Sequence, residues 1–120
     1  MLNEIYRKVQ NEKSQSINLL KDIVNIESFS GSKSNVDNLS KFLSEKCETL
    51  GGKNKFYPQK DFGDNFTSDF YSGDETVIIL CHMDTVWPIG TLQERPFTIE
   101  GNIAKGPGVF DMKVGITITL

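Results

Sequence analysis

With 120 residues, 38% of them hydrophobic, the chain has the size and apolar content of one packed domain or part of one, which excludes a disordered tail. A formal net charge of -3, with 13 Lys and Arg scattered among 16 Asp and Glu, leaves no basic stripe for nucleic acid. The longest apolar run, residues 77–81, is far short of the roughly 20 residues of a membrane span, and charged residues from Glu4 to Lys13 interrupt any signal-peptide core, so no membrane association is expected and the cytoplasm is the default location.

From Ser16 to Ile26 the residues Ile17, Leu20, Ile23 and Val24 recur at helical spacing, and Leu2, Ile5 and Val9 extend the pattern upstream. The stretch SFSGSKS breaks it. A second helix follows, with Val36, Leu39, Leu43, Cys47 and Leu50 on one stripe and Lys41, Glu45 and Lys46 facing away, and Gly51-Gly52 ends it. Residues 53–75 alternate short aromatic runs with Gly and Asp and read as short strands and turns. TVIIL, residues 76–80, is a β-branched run of the kind buried on both faces of a sheet, so two helices followed by such a strand predict an α/β layered domain. Phe97 and Ile99 before Gly101-Asn102, with Ile103 after, give a hairpin signal. Asp111 is a good helix N-cap, but GITITL favours helix and strand about equally. Cys47 and Cys81 form no CxxC and no Cys/His cluster; both are expected as small core residues rather than a disulfide or a zinc knuckle.

The only histidine, His82, directly follows the apolar run, and Asp84 stands two residues on. In open α/β sheets ligands bind beyond the carboxyl ends of strands. Residues i and i+2 of extended chain project to one side, so Asp84 is placed to hold one imidazole nitrogen while the other meets a metal. The same pattern equally describes a strand-end histidine and a turn-forming aspartate, because one histidine does not furnish the three protein ligands of a catalytic zinc. In GPGVFDMKVG, residues 106–115, Gly106 and Gly108 allow a sharp turn that delivers Asp111 to a helix start. Its carboxylate has two oxygens and is able to bridge two cations; a glycine loop with an aspartate N-cap has the same sequence. Trp87, close after Asp84, either lines a substrate approach or packs on the core.

Taken together, HMDTV after an apolar strand, a hairpin, GPGVFDMK, and LLKDIVNIESFSG at residues 19–31 resemble the co-catalytic zinc exopeptidase family that includes glutamate carboxypeptidase of the carboxypeptidase G type, acetylornithine deacetylase and aminoacylase. The resemblance implies the N-terminal part of a catalytic domain, a mixed sheet flanked by helices, over residues 1–120, with the remainder and an inserted second domain absent. It implies that His82 ligates one zinc, that Asp84 orients His82 and counts among the catalytic residues, that Asp111 bridges two zinc ions, and that the Asp111-Met112 peptide is cis. The activity implied is hydrolysis of a peptide or amide bond near a free carboxylate. Two metals share a water and lower its pKa, and a neighbouring glutamate takes the proton. GPGVFDMK is closer to the carboxypeptidase branch than to the Gly-Arg-Gly form common in deacetylases, so a peptide substrate leads over an N-acyl amino acid, and a homodimer is open to the complete protein. The chain departs from the family at Lys113-Val114-Gly115, where Lys-Gly-Gly is usual, and it has no Glu-Glu pair and no second histidine. The general base and remaining ligands are thus expected to be missing, and the chain alone is expected to be inactive. A non-catalytic truncated α/β module is the competing reading.

Overall fold

A computed structural model describes all residues from Met1 to Leu120. Helix α1 spans Leu2–Val24, a stretch free of Gly and Pro and rich in Leu, Glu, Lys and Gln, which lose little rotamer freedom in a helix. Every residue from 1 to 16 is exposed, so Leu2, Ile5 and Val9 face solvent and only Leu20, Ile23 and Val24 are buried. After a turn over residues 25–32, helix α2 runs Lys33–Thr49 and buries Val36, Leu39, Leu43 and Cys47 of the expected stripe, whereas its last member, Leu50, caps the helix and is exposed. Its end is set by the glycine pair: Gly51 adopts φ 91°, its N–H donates to Glu48 O, and the Gly52 N–H donates to Cys47 O, which satisfies two terminal carbonyls.

Strands β1 (Lys53–Tyr57) and β2 (Asn65–Asp69) pair antiparallel, with Phe56 opposite Phe66 and their rings stacked at 5.6 Å. A single helical turn, α3 (Thr91–Glu94), precedes a second hairpin, β3 (Thr98–Glu100) and β4 (Ile103–Lys105), which turns at Gly101 and Asn102 as its sequence predicts. Residues 109–113 form a wide turn, interrupted by non-helical Asp111 and Met112 and by a cis Asp111-Met112 peptide, and helix α4 (Val114–Thr119) follows. Ile23, Leu39, Leu43 and Ile116 form the buried centre, so the core is a meeting of α1, α2 and α4, edged by Phe66, Met83 and Met112. No helix is long and apolar enough to cross a membrane.

Four further expectations are corrected. The run TVIIL is not a buried strand: Val77, Ile78, Ile79 and Leu80 are 84, 79, 63 and 86% exposed and the segment has no ladder partner. The four strands of the chain are used up in two separate hairpins, so the mixed sheet is replaced by two small antiparallel sheets and one isolated parallel bridge, Phe29 to Thr85. Cys81, at the end of that unpaired run, is exposed rather than core, whereas Cys47 is buried. Asp111 does not cap α4; the helix starts at Val114, with Lys113 before it. The ambiguous GITITL is helical because Ile116 completes the core, a packing term that outweighs weak propensity, and Thr117 and Thr119 return their hydroxyls to Lys113 O and Gly115 O.

Candidate metal centre

The turn after α1 supports the first arm of the site. The Thr85 N–H donates to Ser28 O at 2.7 Å and the Ser30 N–H to Thr85 O at 2.9 Å, the two bonds of the parallel bridge. Ser28, itself 1% exposed, donates its hydroxyl to Met83 O at 2.8 Å. These bonds fix the backbone of residues 83–85 and with it the directions of His82 and Asp84.

The second arm is the turn that carries Asp111. Gly108 has φ 72°, and a Cβ there would lie 2.5 Å from Thr85 Cγ2, so the two arms approach closely only because this residue has no side chain. Lys113, 1% exposed, crosses back to the first helix and donates its ammonium to Ile23 O at 3.0 Å and Ile26 O at 2.8 Å. Both carbonyls lie at or just beyond the C-terminal end of α1, where the helix dipole favours a cation. Burial nonetheless pushes the Lys113 pKa down from 10.5 to about 8, although Glu27 opposes the fall.

The two arms bring together all three residues singled out from the sequence. His82 Nε2 lies 2.9 Å from Asp111 Oδ1, across 29 residues of chain. On the other side of the ring, Nδ1 lies 3.1 Å from Asp84 O and 3.3 Å from Asp84 Oδ1. Partial burial depresses the imidazole, but the hydrogen bond to Asp111, the Asp84 carbonyl and the two carboxylate charges outweigh it, and the His82 pKa stands above its ordinary 6.5.

A cavity of about 340 Å³ opens beside the pair, walled by Ser30, His82, Asp84, Trp87, Phe110 and Asp111 among others. Trp87 therefore flanks the site, with the Arg95 guanidinium 4.6 Å from its ring. Three contributors lie within the quoted stretches but are not singled out by sequence. Ser30 donates to Asp84 Oδ2 at 2.6 Å, Lys113 anchors the second arm, and Glu27 accepts from the Gly90 and Leu92 N–H groups to hold the loop that follows Trp87.

An imidazole nitrogen and a carboxylate oxygen are ligands that zinc accepts, and two ligand atoms of a tetrahedral ion with bonds of about 2.0–2.1 Å lie roughly 3.3 Å apart. The observed 2.9 Å is close to that separation, so His82 and Asp111 fit two of the positions around such an ion. No group of three His, Cys, Asp or Glu side chains is arranged to hold a metal ion by itself, so within this chain the pair His82 and Asp111 is the candidate.

No protein-family model matches the chain. Over 121 aligned positions it is 30% identical to Carboxypeptidase G2 of Pseudomonas sp. (strain RS-16), an alignment that takes in 98% of this chain and 29% of that protein. The chain thus spans less than a third of the length of the curated relative it matches, and its similarity is to a carboxypeptidase.

Proposed function

We propose that this chain carries part of the metal centre of a zinc-dependent exopeptidase, a carboxypeptidase of the glutamate carboxypeptidase type that hydrolyses a peptide or amide bond beside a free carboxylate. The observation that carries the reading is the 2.9 Å approach of His82 Nε2 to Asp111 Oδ1, with Asp84 behind the ring. The similarity to Carboxypeptidase G2 gives it a direction.

In this reading His82 and Asp111 hold the metal. Zinc, when bound, supplies a water of lowered pKa and polarises the scissile carbonyl. With metal bound, Asp84 would hold the proton on His82 Nδ1 through its carbonyl and carboxylate, leaving Nε2, which faces Asp111, as the ligand atom. Trp87 and Phe110 give the cavity apolar walls against which an acyl or side-chain group packs and displaces water. The only carboxylates lining the cavity are Asp84 and Asp111, and both are engaged with His82, so no base is left to take a proton from water. The 120-residue chain alone is accordingly inactive.

Zinc titration of the purified chain, with His82→Ala and Asp111→Asn as controls, tests the proposal, alongside an assay on an acyl-glutamate with and without zinc. Expected are weak zinc binding that either substitution abolishes and no turnover. Binding that survives both substitutions overturns the site, and zinc-dependent turnover by the isolated chain overturns the account of the missing base.

A further inference from the structure

We infer that Ser30 is a positioning residue for His82, acting through Asp84. The inference deepens the metal reading above, and part of its test stands without it. The Asp84 carboxylate is shared between two neighbours: Oδ2 accepts the Ser30 hydroxyl at 2.6 Å and Oδ1 faces His82 Nδ1 at 3.3 Å. Ser30 Oγ also lies 3.0 Å from Thr85 O. A hydroxyl has one proton, and the shorter, charge-assisted contact to the carboxylate takes it.

Ser30 suits this task because its own backbone does not move freely. Its N–H donates to Thr85 O, and the Ser28 carbonyl accepts from the Thr85 N–H, so the hydroxyl is presented from a two-bond parallel bridge whose far side, Thr85, adjoins Asp84. Without that hydroxyl the carboxylate keeps only its longer, 3.3 Å contact with His82 Nδ1 and is freer to rotate.

The consequence falls on the imidazole. The ring has acceptors on both sides, the Asp84 carbonyl at 3.1 Å and carboxylate at 3.3 Å facing Nδ1 and the Asp111 carboxylate at 2.9 Å facing Nε2, and the neutral ring has one proton for the two sides. A carboxylate held in place adds its negative charge to the pull of the Asp84 carbonyl on the Nδ1 proton and frees Nε2 as a ligand; a carboxylate swinging loose withdraws that charge and favours the Asp111 side. Outer partners of a metal-bound histidine are commonly worth 10–100-fold in affinity, and Ser30 stands one bond further out, so a loss of about tenfold in zinc affinity is expected on its removal.

The experiment compares the full 120-residue chain with Ser30→Ala and Ser30→Thr. The first readout is the pair of imidazole nitrogen shifts of His82, the only histidine, measured by nitrogen-15 NMR without metal at alkaline pH where the ring is neutral. Ser30→Ala is expected to move the tautomer population from Nδ1–H toward Nε2–H, and Ser30→Thr, which keeps the hydroxyl, to restore it. The second readout is zinc affinity by competition with a chelator, expected to fall about tenfold in Ser30→Ala and to return in Ser30→Thr. An unchanged tautomer in Ser30→Ala overturns the inference. So does loss of exchange protection at the Thr85 amide in Ser30→Ala, because the residue would then be acting as scaffold. A tautomer shift in a chain that binds no zinc upholds the role of Ser30 and removes the metal reading instead.

Discussion

Replacing Lys113 by Met should flatten the rise of stability with pH above neutrality. The Lys113 ammonium is held between Ile23 O and Ile26 O with 1% of its residue surface exposed, and burial lowers its pKa from 10.5 to about 8. Below about pH 8 the group is charged in both folded and unfolded chain, and the folded state carries the full cost of burying it. Between about 8 and 10.5 the unfolded chain keeps the proton and the folded chain releases it, so the unfolded state binds more protons and stability rises with pH. At about 1.4 kcal/mol per pKa unit, a fall of roughly 2.5 amounts to about 3 kcal/mol gained across that window. At neutral pH the substitution has opposing effects: it removes a buried charge, yet leaves Ile26 O, which accepts no other hydrogen bond, unpaired at a cost of about 1–3 kcal/mol. The slope, rather than the value at pH 7, is therefore the discriminating quantity. Urea unfolding of both chains at a series of pH values, followed by far-UV circular dichroism, gives the difference curve. The Lys33 pKa, raised by its bonds to Asp64 and Asp37, and the Cys47 pKa, raised by burial, also act at high pH but are common to both chains and cancel. Parallel stability curves for wild type and Lys113→Met between pH 8 and 10.5 would refute the reasoning.

Leu39, fully buried against Ile23, Leu43 and Ile116, should cost about 2–5 kcal/mol when cut to Ala, read from the urea midpoint; a loss below 1 kcal/mol would mean the cluster closes over the gap. Gly108→Ala combines φ 72° with a contact at 2.5 Å to Thr85, and should destabilise by roughly 1–3 kcal/mol and shift the Thr85 amide resonance, whereas an unmoved resonance would show that the arms do not meet there. Ile79→Lys, at an exposed position of the unpaired run, should change stability by no more than about 0.5 kcal/mol and raise solubility; a cost above 1 kcal/mol would indicate a buried side chain.

The parts of the fold that were legible in the sequence are those whose causes are local. The stripe from Val36 to Cys47, the stop at Gly51-Gly52 and the turn at Gly101-Asn102 each follow from spacing or from backbone freedom within a few residues. TVIIL has the composition of a buried strand yet lies exposed, because burial of a strand is decided by its partners and composition says nothing of whether a neighbour is present. GITITL was undecidable for the converse reason: Ile116 is drawn into a core made by Ile23 and Leu39, far away in sequence. At the site, His82, Asp84 and Asp111 announce themselves through the chemistry of their side chains. Ser30 and Lys113 do not, because a serine and a lysine acquire meaning only from the groups they reach, 54 residues away for the first and 90 for the contact of the second with Ile23.

The turn over residues 25–30 has a consequence for motion. It receives the first arm through Ser28 and Ser30, the second through Ile26 O, and the loop after Trp87 through Glu27. Proteins open in cooperative units whose free energies range from near zero to that of global unfolding. Here one short unit underlies all three segments, so His82, Asp111 and the cavity wall come apart together when it opens and not one at a time. The lifetime of the assembled site is then the lifetime of six residues that contribute no metal ligand, and the amide of Thr85, bonded directly to that turn, is the place where hydrogen exchange would time it.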